Sequence, residues 1–180
     1  MLLVYADPQG DLTTSLGVDG DSITYTLANL MQDVTEERPC NTADAILQHE
    51  EGVDLLPANL ELSAMEIHLV SAFNRESTLK GCLSSIRDNY EYILIDCMPS
   101  LGVITVNSLT VAESVIILMQ AQYLSAKGMT QLVKTIGCVK RGTNPGLEIK
   151  GILPTLVDSR TRISKATVSQ IKWSSRMAFP

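Results

Sequence analysis

The stretch YEYILIDCMPS, residues 90–100, predicts a buried strand that ends in an acidic side chain. Residues 92–95 form a short continuous apolar run, which is typical of a strand in a parallel sheet covered by helices. Asp96 follows this run, and in open parallel sheets ligands bind where the strands end. A carboxylate there suits Mg²⁺, which takes one or two carboxylates together with phosphate oxygens. The alternative for Asp96 is a turn or a helix cap, since Pro99 and Ser100 could open a helix.

The start of the chain, MLLVYADPQG, has the same pattern of an apolar run followed by an acidic residue. Residues 1–4 predict a second strand, and Asp7 comes shortly after it. If both strands lie parallel in one sheet, Asp7 and Asp96 reach the same edge. The alternative for Asp7 is a simple turn, because Asp, Pro and Gly are common turn residues.

Further apolar runs and helical patterns alternate along the chain. The remaining predicted strands are residues 53–56, 114–119 and 149–157, and the predicted helices are residues 22–32, 59–70 (with Asn59 as N-cap), 77–88 and 124–141. Such alternation predicts an α/β fold, a parallel sheet with helices on both faces. No internal repeat or linker interrupts the pattern, so we expect one domain over residues 1–180, with an atypical tail over residues 172–180.

Composition narrows the class of protein. No apolar run reaches the roughly 18 residues that a membrane span needs, and the N-terminus has no basic region typical of a signal peptide. We therefore expect a cytoplasmic protein. The cysteines are too far apart in sequence for a zinc or redox pair, so we expect buried free thiols. They are Cys40, Cys82, Cys97 and Cys138.

The net charge of −6 conceals two halves of opposite sign. Residues 1–126 carry four basic and 18 acidic side chains, whereas residues 127–180 carry ten basic and two acidic ones. A basic end of this kind predicts a surface for nucleic acid or another polyanion. The alternative is that the basic side chains only solvate one helix face. The basic side chains on this helix are Lys127, Lys134, Lys140 and Arg141.

Four segments together resemble the ParA/Soj family of chromosome- and plasmid-partitioning ATPases, relatives of MinD with a deviant P-loop. The segments occur in the family's order and with similar spacing, and the resemblance extends to about residue 170. They are YADPQGDLTTSLGV (5–18), GVDLLPANLELSAMEIHLV (52–70), YEYILIDCMPSLGVITVNSLTVAESVII (90–117) and GILPTLVDSRTRIS (151–164). The resemblance implies a P-loop NTPase-like fold with ATP and Mg²⁺ as cofactors.

The resemblance also implies roles for individual residues. Asp96 matches the acid that orients a water molecule bound to Mg²⁺, and Asp7 matches the acid that positions the attacking water. Gln9 and Gly10 belong to the same loop as Asp7. The segment from Cys97 to Gly102, which includes Pro99, matches the switch that senses the γ-phosphate.

The family further implies partners. ATP closes a sandwich dimer, with a second copy or a full-length ParA, that binds DNA non-specifically, and a ParB-like protein stimulates hydrolysis; no membrane partner is expected. The basic C-terminal third agrees with DNA binding, because phosphate contacts need no reading of bases. The candidate DNA contacts are Lys140, Arg141, Arg160, Arg162 and Lys165.

Departures from the family pattern limit these expectations. The phosphate-binding loop GxxxxGK[ST] occurs nowhere in the 180 residues, so we expect this chain alone not to bind ATP tightly. Tyr5, Met98 and Gln122 stand where the family usually has Asp, Pro and Glu. The family places a strand next to the one ending at Asp96. Without that strand we expect a marginally stable or aggregation-prone monomer, unless neighbouring strands close the gap or a partner strand fills it. Two alternatives stay open, namely a non-catalytic module that binds DNA or a ParA or ParB partner, and a decayed relic.

Overall fold

The computed structural model describes residues 1–9, 11–19, 22–120, 123–158 and 160, without the side chains of residues 123–127. The chain divides into two compact units, Met1–Val111 and a second unit that begins at Ala112. Within the described residues, no helix is both long and apolar enough for a membrane crossing.

Unit 1 is built on a four-stranded sheet. Its strands are β1 (Leu2–Ala6), β2 (Leu47–Gln48), β3 (Asp54–Leu56) and β4 (Ile93–Cys97), in the spatial order β2-β3-β1-β4. β1 pairs in parallel with both β3 and β4, whereas the short β2 is antiparallel to β3. The three longer strands therefore end at one common edge, as the apolar runs predict.

Five helices belong to unit 1 together with this sheet. They are α1 (Asp11–Ser15), α2 (Leu27–Thr35), α3 (Glu61–Leu69), α4 (Thr78–Leu83) and α5 (Val103–Val111), with short 3₁₀ turns at Thr42–Ala45, Arg75–Ser77 and Arg87–Asn89. Leu2, Val4 and Ala6 of β1 point to one face of the sheet and Tyr5 to the other, and all four join one core cluster with buried side chains of α2 to α5. Each fully buried leucine contributes roughly 1.5–3 kcal/mol relative to an exposed one.

The outer strand β4 is more open than its apolar sequence suggests. Within the described residues β4 pairs with β1 alone, so it forms the edge of this sheet. The side chain of Leu94 lies on the opposite face of β4 from those of Ile93 and Ile95, and Leu94 is 53% exposed. Strand edges of this kind present free N–H and C=O groups that can pair with another strand.

Two predicted helices have different bounds in the structure. The helix predicted over residues 22–32 begins only at Leu27, because Thr26 is its N-cap and donates from both its N–H and its hydroxyl to Asn29 Oδ1. The helix predicted over residues 77–88 is confined to Thr78–Leu83. It ends there because Gly and Ser have low helix propensity, and Gly81 is followed closely by two serines. Asn59 is predicted as the N-cap of α3, but the structure has Leu60 at that position; Asn59, one residue earlier, accepts with its Oδ1 from the N–H of Glu61 at 3.1 Å.

Unit 2 contains two parallel strands and one long helix. These are β5 (Ser114–Gln120), α6 (Tyr123–Arg141) and β6 (Glu148–Thr155), with a β-bulge in the pairing between Val115 and Ile116. Asn144 closes the end of α6, because its N–H donates to Val139 O and its side chain donates to Ala112 O at 2.7 Å. The two units confirm the predicted α/β class with parallel strand pairing.

The prediction of buried cysteines is wrong at two positions. All four thiols are free, but Cys97 and Cys138 are exposed, whereas Cys82 is buried and Cys40 is half-buried. Cys97 is the last residue of the edge strand β4, and Cys138 lies on α6.

Candidate functional site

Two acidic side chains lie at the ends of neighbouring parallel strands. Tyr5 of β1 is the register partner of Asp96 in β4, and Ala6 is the partner of Cys97. Asp7 follows Ala6 directly, so it reaches the sheet edge at which Asp96 lies. Burial raises the pKa of the Asp96 carboxyl, and the negative charge of Asp7 raises it further. The structure therefore brings together the two residues that the strand ends predict, and each carboxylate is within electrostatic reach of the other.

The loop after β1 is shaped by short polar contacts. The backbone N–H of Gln9 donates to Asp7 Oδ1 at 3.0 Å, which is an Asx turn and orients the carboxylate of Asp7. The N–H of Asp11, at the start of α1, donates to the hydroxyl of Tyr5 at 2.9 Å. Tyr5 is buried, and this burial raises the pKa of its phenol. Tyr5 thus anchors the loop from the core. Gly10 lies outside the described residues.

The segment after β4 runs from the exposed Cys97 and Pro99 to the first turn of α5. Ser100 organises it, because its Oγ accepts from the N–H of Gly102 at 3.4 Å and its C=O accepts from the Thr105 hydroxyl at 2.8 Å. Cys97 is exposed as a residue, but its sulfur atom is largely shielded from water, and this burial raises the pKa of the thiol. Ser108 opposes this shift through a hydrogen bond, whereas the charges of Asp96 and Asp7 add to it.

Sequence reasoning missed Asn107, a fully buried amide in α5. Its Oδ1 accepts from the N–H of Leu79 at 3.0 Å, and its Nδ2 donates to Arg75 O at 2.6 Å and to Val103 O at 3.0 Å. It thereby ties the start of α4 to the helix that follows the candidate switch. The only signal in the sequence is one amide within the otherwise apolar or small-residue run VITVNSLTV.

The pair Asp7 and Asp96 fits a magnesium ion that arrives with phosphate ligands. Among the described residues, no group of three or more His, Cys, Asp or Glu side chains is placed to hold a metal ion by itself. Mg²⁺, however, keeps several waters and needs only one or two carboxylates when substrate phosphates supply other oxygens. Two neighbouring carboxylates, one with a raised pKa, gain stability from a cation between them.

The candidate DNA contacts stay a prediction, with different surroundings at each position. Lys140 and Arg141 lie exposed in the last turn of α6, where Arg141 donates to Cys138 Sγ at 3.3 Å. Arg160 is engaged by Asp158 through two hydrogen bonds of 3.0 and 3.1 Å. The candidates Arg162 and Lys165 lie outside the described residues.

Parallel strands with acidic ends, followed by helices, define an open α/β domain in which ligands bind at one edge of the sheet. The family model described as an AAA domain matches residues 1–149. Soj, the sporulation initiation inhibitor protein of Bacillus subtilis, is 36% identical over 172 residues, covering 96% of this chain and 66% of Soj. The chromosome partitioning protein ParA of Myxococcus xanthus is 39% identical over 173 residues, covering 95% of this chain and 59% of ParA. The chain belongs to the ParA/Soj family of partitioning ATPases.

Solved structures share the fold of this chain. A Mycobacterium smegmatis protein named cobyrinic acid a,c-diamide synthase, with bound ADP and magnesium, has a TM-score of 0.86 and 38% identity. The match covers 95% of this chain and 68% of that one. Cyanothece McdA, with a TM-score of 0.84 and 22% identity, shares the fold. The chain spans between 53% and 66% of the length of the curated relatives that it matches.

Proposed function

We propose that this chain supplies the acidic part of the nucleotide site in a ParA-type partitioning ATPase. The observation that carries the proposal is the register of β1 and β4, which delivers Asp7 and Asp96 to one sheet edge. In open α/β sheets that edge is where ligands bind. The similarity to Soj and ParA, and to a structure with bound ADP and magnesium, supports a nucleotide as the ligand.

Each acidic residue has one role in the proposal. Asp96 would hold Mg²⁺ through one of its water molecules, and Asp7 would position the water that attacks the γ-phosphate. Mg²⁺ supplies charge stabilisation for the phosphates when it is bound. Phosphoryl transfer depends mainly on positioning and charge stabilisation, so Asp7 acts on the rate more than on affinity. The turn formed with Gln9 fixes the direction of the Asp7 carboxylate. Residues 97–102 would respond to the γ-phosphate.

The proposal includes weak nucleotide affinity for the 180-residue chain by itself. A phosphate-binding loop provides backbone N–H groups, a lysine and a hydroxyl on Mg²⁺, and the motif GxxxxGK[ST] is not among these residues. Carboxylates repel phosphate oxygens unless a cation lies between them, so Asp7 and Asp96 do not replace that loop. Catalysis in this view needs phosphate-binding groups beyond those in residues 1–180.

Nucleotide binding by the purified chain tests the proposal. Calorimetric titration with ATP and Mg²⁺ is compared for the wild type, Asp96→Ala and the matched exposed control Asp88→Ala. Absence of heat at millimolar nucleotide supports weak affinity of the chain alone. If the wild type binds ATP, Asp88→Ala still binds and Asp96→Ala does not, the result supports the acidic site. The same result contradicts the part of the proposal that gives the chain alone a weak affinity. Binding that Asp96→Ala leaves unchanged overturns the site itself.

A second candidate function is a non-catalytic module that binds DNA or a ParA or ParB partner through its basic C-terminal part. The exposed pair Lys140 and Arg141 favours it. Phosphate contacts make affinity fall steeply with salt, by a log–log slope of about −0.9 per contact on duplex DNA. Nucleotide-free binding to random-sequence duplex with such a slope, reduced in Lys140→Ala/Arg141→Ala, supports this function. Failure to bind at low salt counts against it.

A further inference from the structure

The helix α3 makes a close contact with the segment that follows Asp96. A Cβ atom built on Gly102 would lie 1.7 Å from Oε1 of Glu66 and 2.8 Å from its Cδ. Real Cβ atoms do not come this close to other atoms, so any side chain at position 102 displaces Glu66. The φ angle of Gly102 lies outside the left-handed region. A side chain at position 102 and the present position of the Glu66 carboxylate therefore exclude each other, and no special backbone conformation is involved.

Gly102 occupies the N-cap position of α5. The helix begins at Val103, and the C=O of Gly102 accepts the first helical hydrogen bond, from the N–H of Val106 at 3.2 Å. An N-cap side chain normally accepts from the N–H groups two or three residues ahead, which in α5 belong to Ile104 and Thr105. Glycine has no side chain for this purpose. The carboxylate of Glu66 fills the space that such a side chain would take.

Glu66 lies beside the start of α5 without a capping hydrogen bond in this structure. Its Oε1 is a buried side-chain oxygen that has no hydrogen-bond partner among the described residues. A buried carboxylate oxygen is unfavourable unless donors or positive potential lie near it. The N-terminus of a helix offers both, through its free N–H groups and its dipole. A small movement of Gly102 toward or away from α3 would change this interaction directly.

We propose that Glu66 is a positioning residue, which caps α5 from α3 and thereby holds residues 97–102 after Asp96. Its link to the nucleotide rests on the proposed function, whereas the cap itself does not. The segment is otherwise fixed mainly through Ser100 at its centre. Glu66 fixes its end, where the chain enters α5. Movement of the segment at the nucleotide edge would thus be transmitted to α3 through one carboxylate.

A substitution cycle in the absence of nucleotide tests the cap. Glu66→Ala and Gly102→Ser are measured alone and together by thermal unfolding and by hydrogen exchange of amides 103–106. Each single change is expected to lower Tm by about 2–4 °C, the shift that ~1 kcal/mol gives in a chain of this size, and to accelerate exchange several-fold. The double variant is expected to recover, because Ser at position 102 fits the vacated space and serves as a local N-cap.

Two further variants separate capping from packing. Glu66→Gln keeps an acceptor oxygen at the same reach, whereas Glu66→Met keeps the length and loses the oxygen. Capping predicts slower exchange of amides 103–106 in the Gln variant than in the Met variant. Equal exchange in the two, or a double variant at least as unstable as the two single changes added together, overturns the proposal. The exposed control Glu91→Ala is expected to behave like the wild type. Since no nucleotide is present, failure of ATP binding leaves this test unaffected.

Discussion

Tyr5 of β1 and Asp96 of β4 are register partners across two parallel strands, and this pairing places Asp7 at the edge where Asp96 lies. The aromatic ring and the two carboxylates have different tasks. Tyr5 is buried and accepts from the N–H of Asp11, so it fixes the start of the loop. Asp7 and Asp96 remain near solvent, where a nucleotide and its cation can reach them.

Asp7→Asn is expected to lower the pKa of the Asp96 carboxyl, because it removes the second cause that raises this pKa. A carboxyl with a raised folded-state pKa stabilises the protein below its ordinary pKa, about 3.9, and loses that contribution as pH rises. Asp7→Asn should therefore raise Tm at pH 7 slightly, on the order of 1–2 °C. The difference in Tm between Asp7→Asn and the wild type should be smaller near pH 4 than at pH 7.

The measurement is an NMR titration of the Asp96 carboxyl together with calorimetry at both pH values. Asp88→Asn, on an exposed turn, serves as the control. An unchanged midpoint for Asp96 in Asp7→Asn would show that the two carboxylates do not interact.

Tyr90→Phe is expected to remove a pH dependence of stability in the alkaline range. The Tyr90 hydroxyl donates to Asp54 Oδ2 at 2.6 Å, and burial together with this carboxylate raises the pKa of Tyr90 to about 12. The neutral phenol is thus favoured in the folded state, and its contribution is complete below pH 10 and lost as pH rises toward 12. At pH 7 the change should cost about 1 kcal/mol.

Urea unfolding at pH 7, 10 and 11.5 checks this expectation, with the exposed Tyr92→Phe as a matched control. Equal alkaline loss of stability in the wild type and in Tyr90→Phe would contradict the assignment to this hydrogen bond.

Asn107→Ala is expected to destabilise unit 1 by about 1–3 kcal/mol, since it leaves the buried N–H of Leu79 without this acceptor and removes one of two donors to Arg75 O. Denaturant unfolding measures the loss, and the exposed Asn89→Ala is its control. A cost below ~1 kcal/mol would show that water or a local shift satisfies those groups.

Phe73→Ser is expected to leave the free energy of unfolding within about 0.5 kcal/mol of the wild type, as for other exposed positions. Phe73 is 91% exposed, and the apolar residues Leu60, Ile67 and Val70 in and beside α3 are exposed as well. Light scattering should show less self-association in Phe73→Ser than in the wild type. A large loss of stability would mean that the ring packs against the protein in solution.

The strands and the acidic edge could be predicted from sequence because their signals are local. Continuous apolar runs identify β1, β3, β4, β5 and β6. An acidic residue at the end of a parallel strand lies at the sheet edge where the parallel strands end, so its place in the fold follows from the strand alone. The helix α5 was not predicted, since it is apolar or small on nearly all sides and has no periodic stripe.

The contacts that hold the candidate switch could not be predicted in the same way. Asn107 forms hydrogen bonds with Leu79 and Arg75, and Glu66 contacts Gly102, although these partners are far apart in sequence. No pattern of neighbouring residues predicts such long-range contacts, because they depend on how α3, α4 and α5 pack. A single amide or glycine becomes informative only when its three-dimensional neighbours are known.

The open side of β4 has a practical consequence for preparing the protein. Leu94 lies on this edge strand and is largely exposed, so it contributes little to the core. A lysine on an exposed edge strand discourages pairing between molecules. Leu94→Lys is therefore the substitution best suited to obtaining concentrated samples for crystallisation or NMR, with the buried contacts of Ile93 and Ile95 left in place.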